Sequence, residues 1–129
     1  MALTSNEMEL FGIPQENMVR YEHPPISAVS ARDVFQALSD PIRLEIVRRL
    51  ARRGAQNCAE LSDARPRSTM SHHFKVLRDA GVVRTLAQGT EHINSLRGDE
   101  LESRFPGIVA MILDENEERP KADAAALVR

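Results

Sequence analysis

Apolar residues recur at helical spacing through most of the central chain, and the exceptions mark where helices stop. Val34, Phe35 and Leu38 form one short stripe, and Ser30 stands before it as an N-cap, predicting a helix over residues 31–38. Asp40-Pro41 is a second start signal, because Asp accepts from free N–H groups and Pro suits the first helical position. Ile42, Ile46, Val47 and Leu50 then repeat on one side, and Gly54 closes the helix. A short helix over 58–64 follows, with Ala59, Leu61 and Cys58 as candidate buried positions, and Pro66 breaks it. The next helix runs from 67 to Gly81. Met70, Phe74 and Leu77 share one face, while Ser68, His72, Lys75 and Asp79 lie opposite, with Ser71 on the flank.

Beyond Gly81 the period changes. Residues 82–86 and 92–96 read as two strands around a Gln88-Gly89-Thr90 turn, where Gly can take positive φ. A helix is expected from about 99 to 105. Pro106-Gly107 interrupts, and Ile108, Val109, Ile112 and Leu113 make a second apolar stripe that ends in an acidic run over 114–118. From 119 onward Ala and charge dominate, which reads as a tail. At the other end Pro14, Pro24 and Pro25 forbid a long helix, so residues 1–29 read as an arm, partly extended or disordered, with a short turn near 7–11. The expected organisation is therefore an arm (1–29), a winged helix-turn-helix (30–98), C-terminal dimerisation helices (99–118) and a tail (119–129). The fold class is mainly α with a small β-hairpin wing, dimerising through its terminal helices.

Charge sharpens this picture. The chain of 129 residues carries a net charge of −2, but the charge is segregated along it. Arg43, Arg48, Arg49, Arg52 and Arg53, and then Arg65, Arg67, Lys75, Arg78 and Arg84, make the middle basic. Asp99, Glu100, Glu102, Asp114, Glu115, Glu117 and Glu118 make the last third acidic. A helix with short polar and cationic residues on its exposed face, set in a basic region, is what a DNA major groove accepts. Phosphate contacts alone do not require the arginines at 48, 49, 52 and 53, which equally suit a solvated helix face. No apolar run approaches the roughly 18 residues of a membrane span, and the first residues lack a basic start followed by an apolar block, so a cytoplasmic location is expected. The single cysteine, Cys58, excludes an internal disulfide. No Ser-His-Asp spacing, Gly-rich phosphate loop or pair of carboxylates suggests an enzyme.

Two segments carry a resemblance. ALSDPIRLEI (37–46) and SHHFKVLRDAGVV (71–83) are similar to the helix entrance and recognition helix of the ArsR/SmtB family of bacterial transcriptional repressors, and the hairpin over 84–96 is similar to that family's wing. The likeness covers residues 31–98. It implies a homodimer on a pseudo-palindromic operator in double-stranded DNA, released by an inducer. It implies that Arg67, Ser68, Thr69, Ser71, His72 and Lys75 of the recognition helix lie at the DNA, with Arg84, Gln88, Gly89, Thr90 and His92 of the wing against the backbone or minor groove. The wing departs from the arginine-rich type, since Gln88-Gly89-Thr90-Glu91 has no net positive charge. The dimer is expected to form through Val34, Phe35, Ile108, Val109, Ile112 and Leu113, apolar residues that a small winged helix has limited area to bury.

Many members of that family sense metals through a Cys-x-Cys pair, which here reads Asn57-Cys58-Ala59, so both thiolate positions are absent. Their other common site uses Asp and His pairs on the C-terminal helix, yet no histidine occurs from 99 to 118. His72 and His73 are about 100° apart on their helix and point away from each other. His23 is expected to be exposed, and His92 to face solvent or phosphate. No metal and no cofactor are expected, and an inducer, if there is one, is expected to be organic or another protein in preference to a metal ion. Two alternatives stay open: a winged-helix protein-interaction module, and a redox- or metal-responsive repressor with a non-standard site.

Overall fold

The first three helices start on side-chain caps in the computed structural model, which describes residues 21–114. Helix α1 (Ala31–Leu38) is capped by Ser30, whose Oγ accepts from Asp33 N at 3.1 Å. Helix α2 (Pro41–Arg53) is capped by Asp40, which accepts from Ile42 N at 2.8 Å and Arg43 N at 3.1 Å, with Pro41 at the first position. Gly54, at φ +80, ends it. A two-residue strand, β1 (Gln56–Asn57), leads directly into α3 (Cys58–Ser62). Asn57 and Glu60 form a reciprocal capping box: Glu60 N donates to Asn57 Oδ1 at 2.8 Å, and Asn57 N to Glu60 Oε1 at 3.3 Å. After Pro66 comes α4 (Arg67–Asp79), then β2 (Val83–Gln88), β3 (Glu91–Leu96), α5 (Gly98–Arg104) and α6 (Ile108–Ile112).

The sheet is antiparallel with order β1-β3-β2. Gln88 pairs with Glu91, which leaves Gly89-Thr90 as a two-residue loop with Gly89 at φ +59. Both strands of the hairpin are therefore longer at the tip than the pattern predicts. β1 was not visible in the pattern at all, and it occupies the free edge of β3 through Gln56↔Asn94 and Asn57↔Ile93.

One core joins every layer. Val34 and Ala37 of α1, Ile46, Val47 and Leu50 of α2, Leu61 of α3, and Met70, Phe74 and Leu77 of α4 are buried together with Val82, Val83, Leu101, Ile108 and Ile112. Three placements depart from the pattern. Phe35 is 59% exposed, because Ala37 rather than Phe35 shares the inward face with Val34. Ala59 is exposed, with only Leu61 of its helix fully inside. Ile108 and Ile112 belong to the chain's own core: Gly107, at φ +92, turns α6 back against α2, where Arg48 Nε donates to Ile112 O at 2.8 Å. Val109 and Leu113 are half-buried, and Met111 is 57% exposed.

Residues 21–29 pack onto the domain. Pro25 is extended, and a 3-10 turn over Ile26–Ala28 delivers Val29 into the core. Arg97, with its side chain fully buried, donates to Pro24 O at 2.7 Å and to Glu100 Oε2 at 2.8 Å. Arg104 Nε donates to Val29 O at 2.7 Å. The turn expected near residues 7–11 and the tail over 119–129 lie outside the described residues.

Gly81 shows how tightly this segment is held. It ends α4 at φ +81, and a Cβ there would strike the Val29 side chain. Gly81→Ala is expected to cost about 2–4 kcal/mol, combining a left-handed backbone with overpacking. Urea unfolding of the variant measures this, and an unchanged midpoint would mean that the Val29 contact is not held as described.

Candidate nucleic-acid interface

Helix α4 is divided cleanly by burial. Met70, Phe74 and Leu77 are fixed in the core, so the opposite side must face outward. Arg67, Ser68, Thr69, Ser71, His72 and Lys75 are all exposed. With α3 and the intervening turn this makes a helix-turn-helix, in which α4 presents short donors and acceptors along one surface. Lys75 Nζ is 2.7 Å from Asp79, an exposed pair that contributes little to stability and leaves the ammonium free to exchange partners. His73 points the other way from His72. It is buried, and its Nδ1 accepts from Arg43 Nη1 at 3.2 Å. Burial lowers its pKa, against the opposing pull of Asp40.

The turn is braced from α2. Arg49 donates to Glu60 O at 2.9 Å and to Asp63 at 3.1 Å, and Asp63 also meets Arg65 at 3.5 Å. Arg48 and Arg49 thus hold neighbouring chain ends, a role beyond solvating a helix face.

The wing divides differently from expectation. Gln88, Gly89 and Thr90 form an exposed tip. Arg84 sits four residues back along β2, opposite Ser95, and its guanidinium is occupied by Glu100 at 2.7 Å. With the hydrogen bonds from Arg97 as the larger influence, these cations hold the Glu100 carboxyl down at about 2. His92 is half-buried and hydrogen-bonded through Nδ1 to Tyr21 Oη at 2.6 Å. The Tyr21 ring in turn lies under the Arg78 guanidinium, 4.4 Å from its centroid. Tyr21 therefore bridges α4 and β3, a role that nothing in its local sequence announces.

Behind the wing runs a buried polar chain. Asn94 is fully buried; it accepts from Thr85 Oγ1 at 2.7 Å, and its Nδ2 donates to Cys58 Sγ at 3.1 Å. Thr85 N donates to His23 Nε2 at 2.9 Å, so His23 caps the open edge of β2 instead of standing in solvent. Desolvation, and next the charge on Arg84, lower His23 to about 4. Burial pushes the Cys58 thiol up, which suits a structural residue and not a reactive one. Among the described residues no three His, Cys, Asp or Glu side chains converge to hold a metal, and no helix is long and apolar enough to cross a membrane.

Comparison with known proteins agrees with this geometry. A helix-turn-helix domain family model matches residues 38–85. The chain is 37% identical over 62 residues to the uncharacterized HTH-type transcriptional regulator MJ1325 of Methanocaldococcus jannaschii, a match spanning 46% of this chain and 70% of that protein. It is 37% identical over 79 residues to the uncharacterized HTH-type transcriptional regulator YceK of Bacillus subtilis, spanning 59% of this chain and 79% of that one. Among solved structures, an ArsR family transcriptional regulator aligns with a TM-score of 0.53 at 27% identity, covering 68% of this chain and 97% of that one. The chain belongs to the HTH-type transcriptional regulators, and its winged-helix fold is like that of the ArsR family. The transcriptional repressor PagR of Bacillus anthracis also aligns, with a TM-score of 0.50 at 25% identity, over 63% of this chain and 86% of PagR. The relatives with which it groups are transcriptional regulators, a non-enzyme class.

His23 gives this regulator a defined acid sensitivity. Its ordinary pKa of 6.5 falls to about 4 on folding, so between these values the unfolded chain binds the extra proton. Stability is then lost as pH drops from 6.5 towards 4, and Glu100, lowered from 4.5 to about 2, extends the loss below 4.5. Urea midpoints measured across this range should fall progressively, and His23→Gln should flatten the upper part of the curve. A parent protein equally stable at pH 6.5 and 4 excludes the His23 contact.

Proposed function

We propose that the chain is a homodimeric transcriptional repressor that binds a pseudo-palindromic operator in double-stranded DNA. α4 enters the major groove and the wing lies beside it. The observation that carries this reading is that all six polar residues Arg67, Ser68, Thr69, Ser71, His72 and Lys75 are exposed on a helix whose other face is locked in the core. Arg67 suits a guanine edge or a phosphate, His72 can donate to or accept from a base, and Ser and Thr serve either. Gln88 and Thr90 at the uncharged wing tip offer neutral donors to the backbone. Arg84 and His92, engaged with Glu100 and Tyr21, support the wing from within.

A second copy is expected on the face formed by α1 and α6. Phe35 and Met111 are the large hydrophobic residues left exposed among those described, and they stand beside two hollows of about 400 and 330 Å³. Val109 on α6 and Leu113 at its C-cap remain half-buried, whereas Val34, Ile108 and Ile112 back the surface from the core. A dimer would cover this area and set two α4 helices about one DNA turn apart, roughly 34 Å. Repression is the activity named for PagR, and it is the reading adopted here. The apolar lining of the larger hollow, with Val34, Phe35, Phe105 and Ile108, favours an organic inducer over a metal ion. The cell interior, where DNA resides, is the expected location.

Selection of genomic fragments with the purified protein tests this. An inverted repeat should be recovered, bound with a steep salt dependence and unaffected by Zn²⁺. His72→Ala and Arg67→Ala should each lose about 1–3 kcal/mol of operator affinity while remaining dimeric. If both bind like the parent, α4 is not the reading element. Phe35→Glu should sediment as a monomer, and a persistent dimer would move the interface elsewhere.

A further inference from the structure

A helix in a major groove and a hairpin beside it are separated by one sugar–phosphate strand. On the DNA-binding reading above, on which this inference rests, that strand must cross the space between α4 and the wing. The structure has such a space: a cleft of about 880 Å³, lined by Arg67, Ser71 and Arg78 on the α4 side and by Thr90 and His92 on the wing side, with Tyr21 between. Arg67 and Ser71 also belong to the exposed face of α4, so the cleft is continuous with the reading surface.

Arg78 is the unexplained residue. Arg43, Arg48, Arg49, Arg84, Arg97 and Arg104 each donate to a carbonyl or carboxylate of the fold. Arg78 stacks its guanidinium on the Tyr21 ring, and among the described residues it has no carboxylate partner. A cation held over a ring does not spend its N–H donors on that contact, so they stay available to a phosphate. Asp63 on the rim does not compete, since Arg49 and Arg65 hold it. The Tyr21–His92 hydrogen bond fixes the platform to the wing, so the stacked cation has a set distance from the hairpin.

We propose that this cleft seats the DNA strand between the two grooves, with Arg78 as its phosphate ligand and Tyr21 as the residue that positions Arg78. The contact is independent of sequence. It sets the register of α4 in the groove and does not choose bases.

Binding of the selected operator and of a random duplex, each over a range of salt, tests the proposal. Arg78→Gln should weaken both duplexes by the same factor, roughly ten- to hundredfold. It should also reduce the slope of log affinity against log salt by about 0.9, the value for one phosphate. Tyr21→Leu should weaken binding in the parent and have no effect in the Arg78→Gln background, which a merely structural role would not produce. Without any substitution in the protein, neutral methylphosphonates placed along the operator should reveal a critical phosphate whose neutralisation costs the parent affinity and costs Arg78→Gln none. An unchanged salt slope in Arg78→Gln, while His72→Ala and Arg67→Ala lose operator binding, overturns the cleft assignment and leaves the DNA-binding reading standing. A parent that binds no duplex removes both. If inorganic phosphate at constant ionic strength raises the melting temperature of the parent but not of Arg78→Gln, and the DNA slope is unchanged, the cleft is a site for a small free anion and the proposal fails.

Discussion

The guanidinium of Arg97 is fully enclosed, and a buried guanidinium must find acceptors for its donors or destabilise the fold. It finds them in Pro24 O and the Glu100 carboxylate, while its own backbone N–H reaches Val82 O at 3.0 Å. One side chain thereby fastens the segment before α1, the end of the hairpin and the start of α5 to one another. Glu100 is shared with Arg84, so the base of β2 joins the same cluster. Once Pro24 is fixed, the three residues before it have little choice of path. His23 falls on the edge of β2, and Tyr21 falls between α4 and β3. The surface beside the recognition helix is therefore assembled by a contact on the far side of the hairpin.

The second organising feature is the polar line from His23 through Thr85 and Asn94 to Cys58. It crosses the sheet and ends on the first helix of the helix-turn-helix. Buried polar groups are costly when unpaired, and such a line holds only when its members take one arrangement. It accounts for the one cysteine in packing terms: the thiol accepts from Asn94 and is shielded from water, so its chemistry is that of a small core residue. Arg49 works to the same end from α2, holding Glu60 O and Asp63 at the close of α3.

What could be read from sequence was what is decided locally. Ser30, Asp40-Pro41, Gly54 and Gly89 fix chain geometry through their own side chains or lack of them, and the structure places each as its chemistry dictates. The apolar stripe of α4 was legible because three large residues repeat at helical spacing over a long element. What escaped was decided at a distance. Gln56-Asn57 has no alternation to mark a strand, and becomes one only because β3 offers an open edge. Nothing near Pro24 signals that Arg97, much later in the chain, will hold it. Phe35 looked like the partner of Val34 on a helix too short for its period to discriminate, and Ala37 took that place. Ile108 and Ile112 read as surplus apolar surface until Gly107 is seen to fold them inward. Arg84 and His92, expected at the DNA by analogy, are engaged by Glu100 and by Tyr21, partners that the analogy does not include.

The strand β1 is only two residues long, yet it changes the mechanics of the molecule. It pairs with β3 and passes without a linker into α3, so the hairpin and the helix-turn-helix share a continuous hydrogen-bonded frame. Tyr21 ties the same two parts on their other side. A hairpin joined only at its root could swing to meet grooves of different width; this one is tied to the helix-turn-helix on both sides, which favours the two acting as one unit. On the proposed function, its fit to an operator half-site is set by the fold, which leaves little to adjust inside one copy. In the proposed dimer the adjustable quantity is the distance and angle between two such units, and a signal acting on that quantity would act at α1 and α6, away from the exposed face of α4.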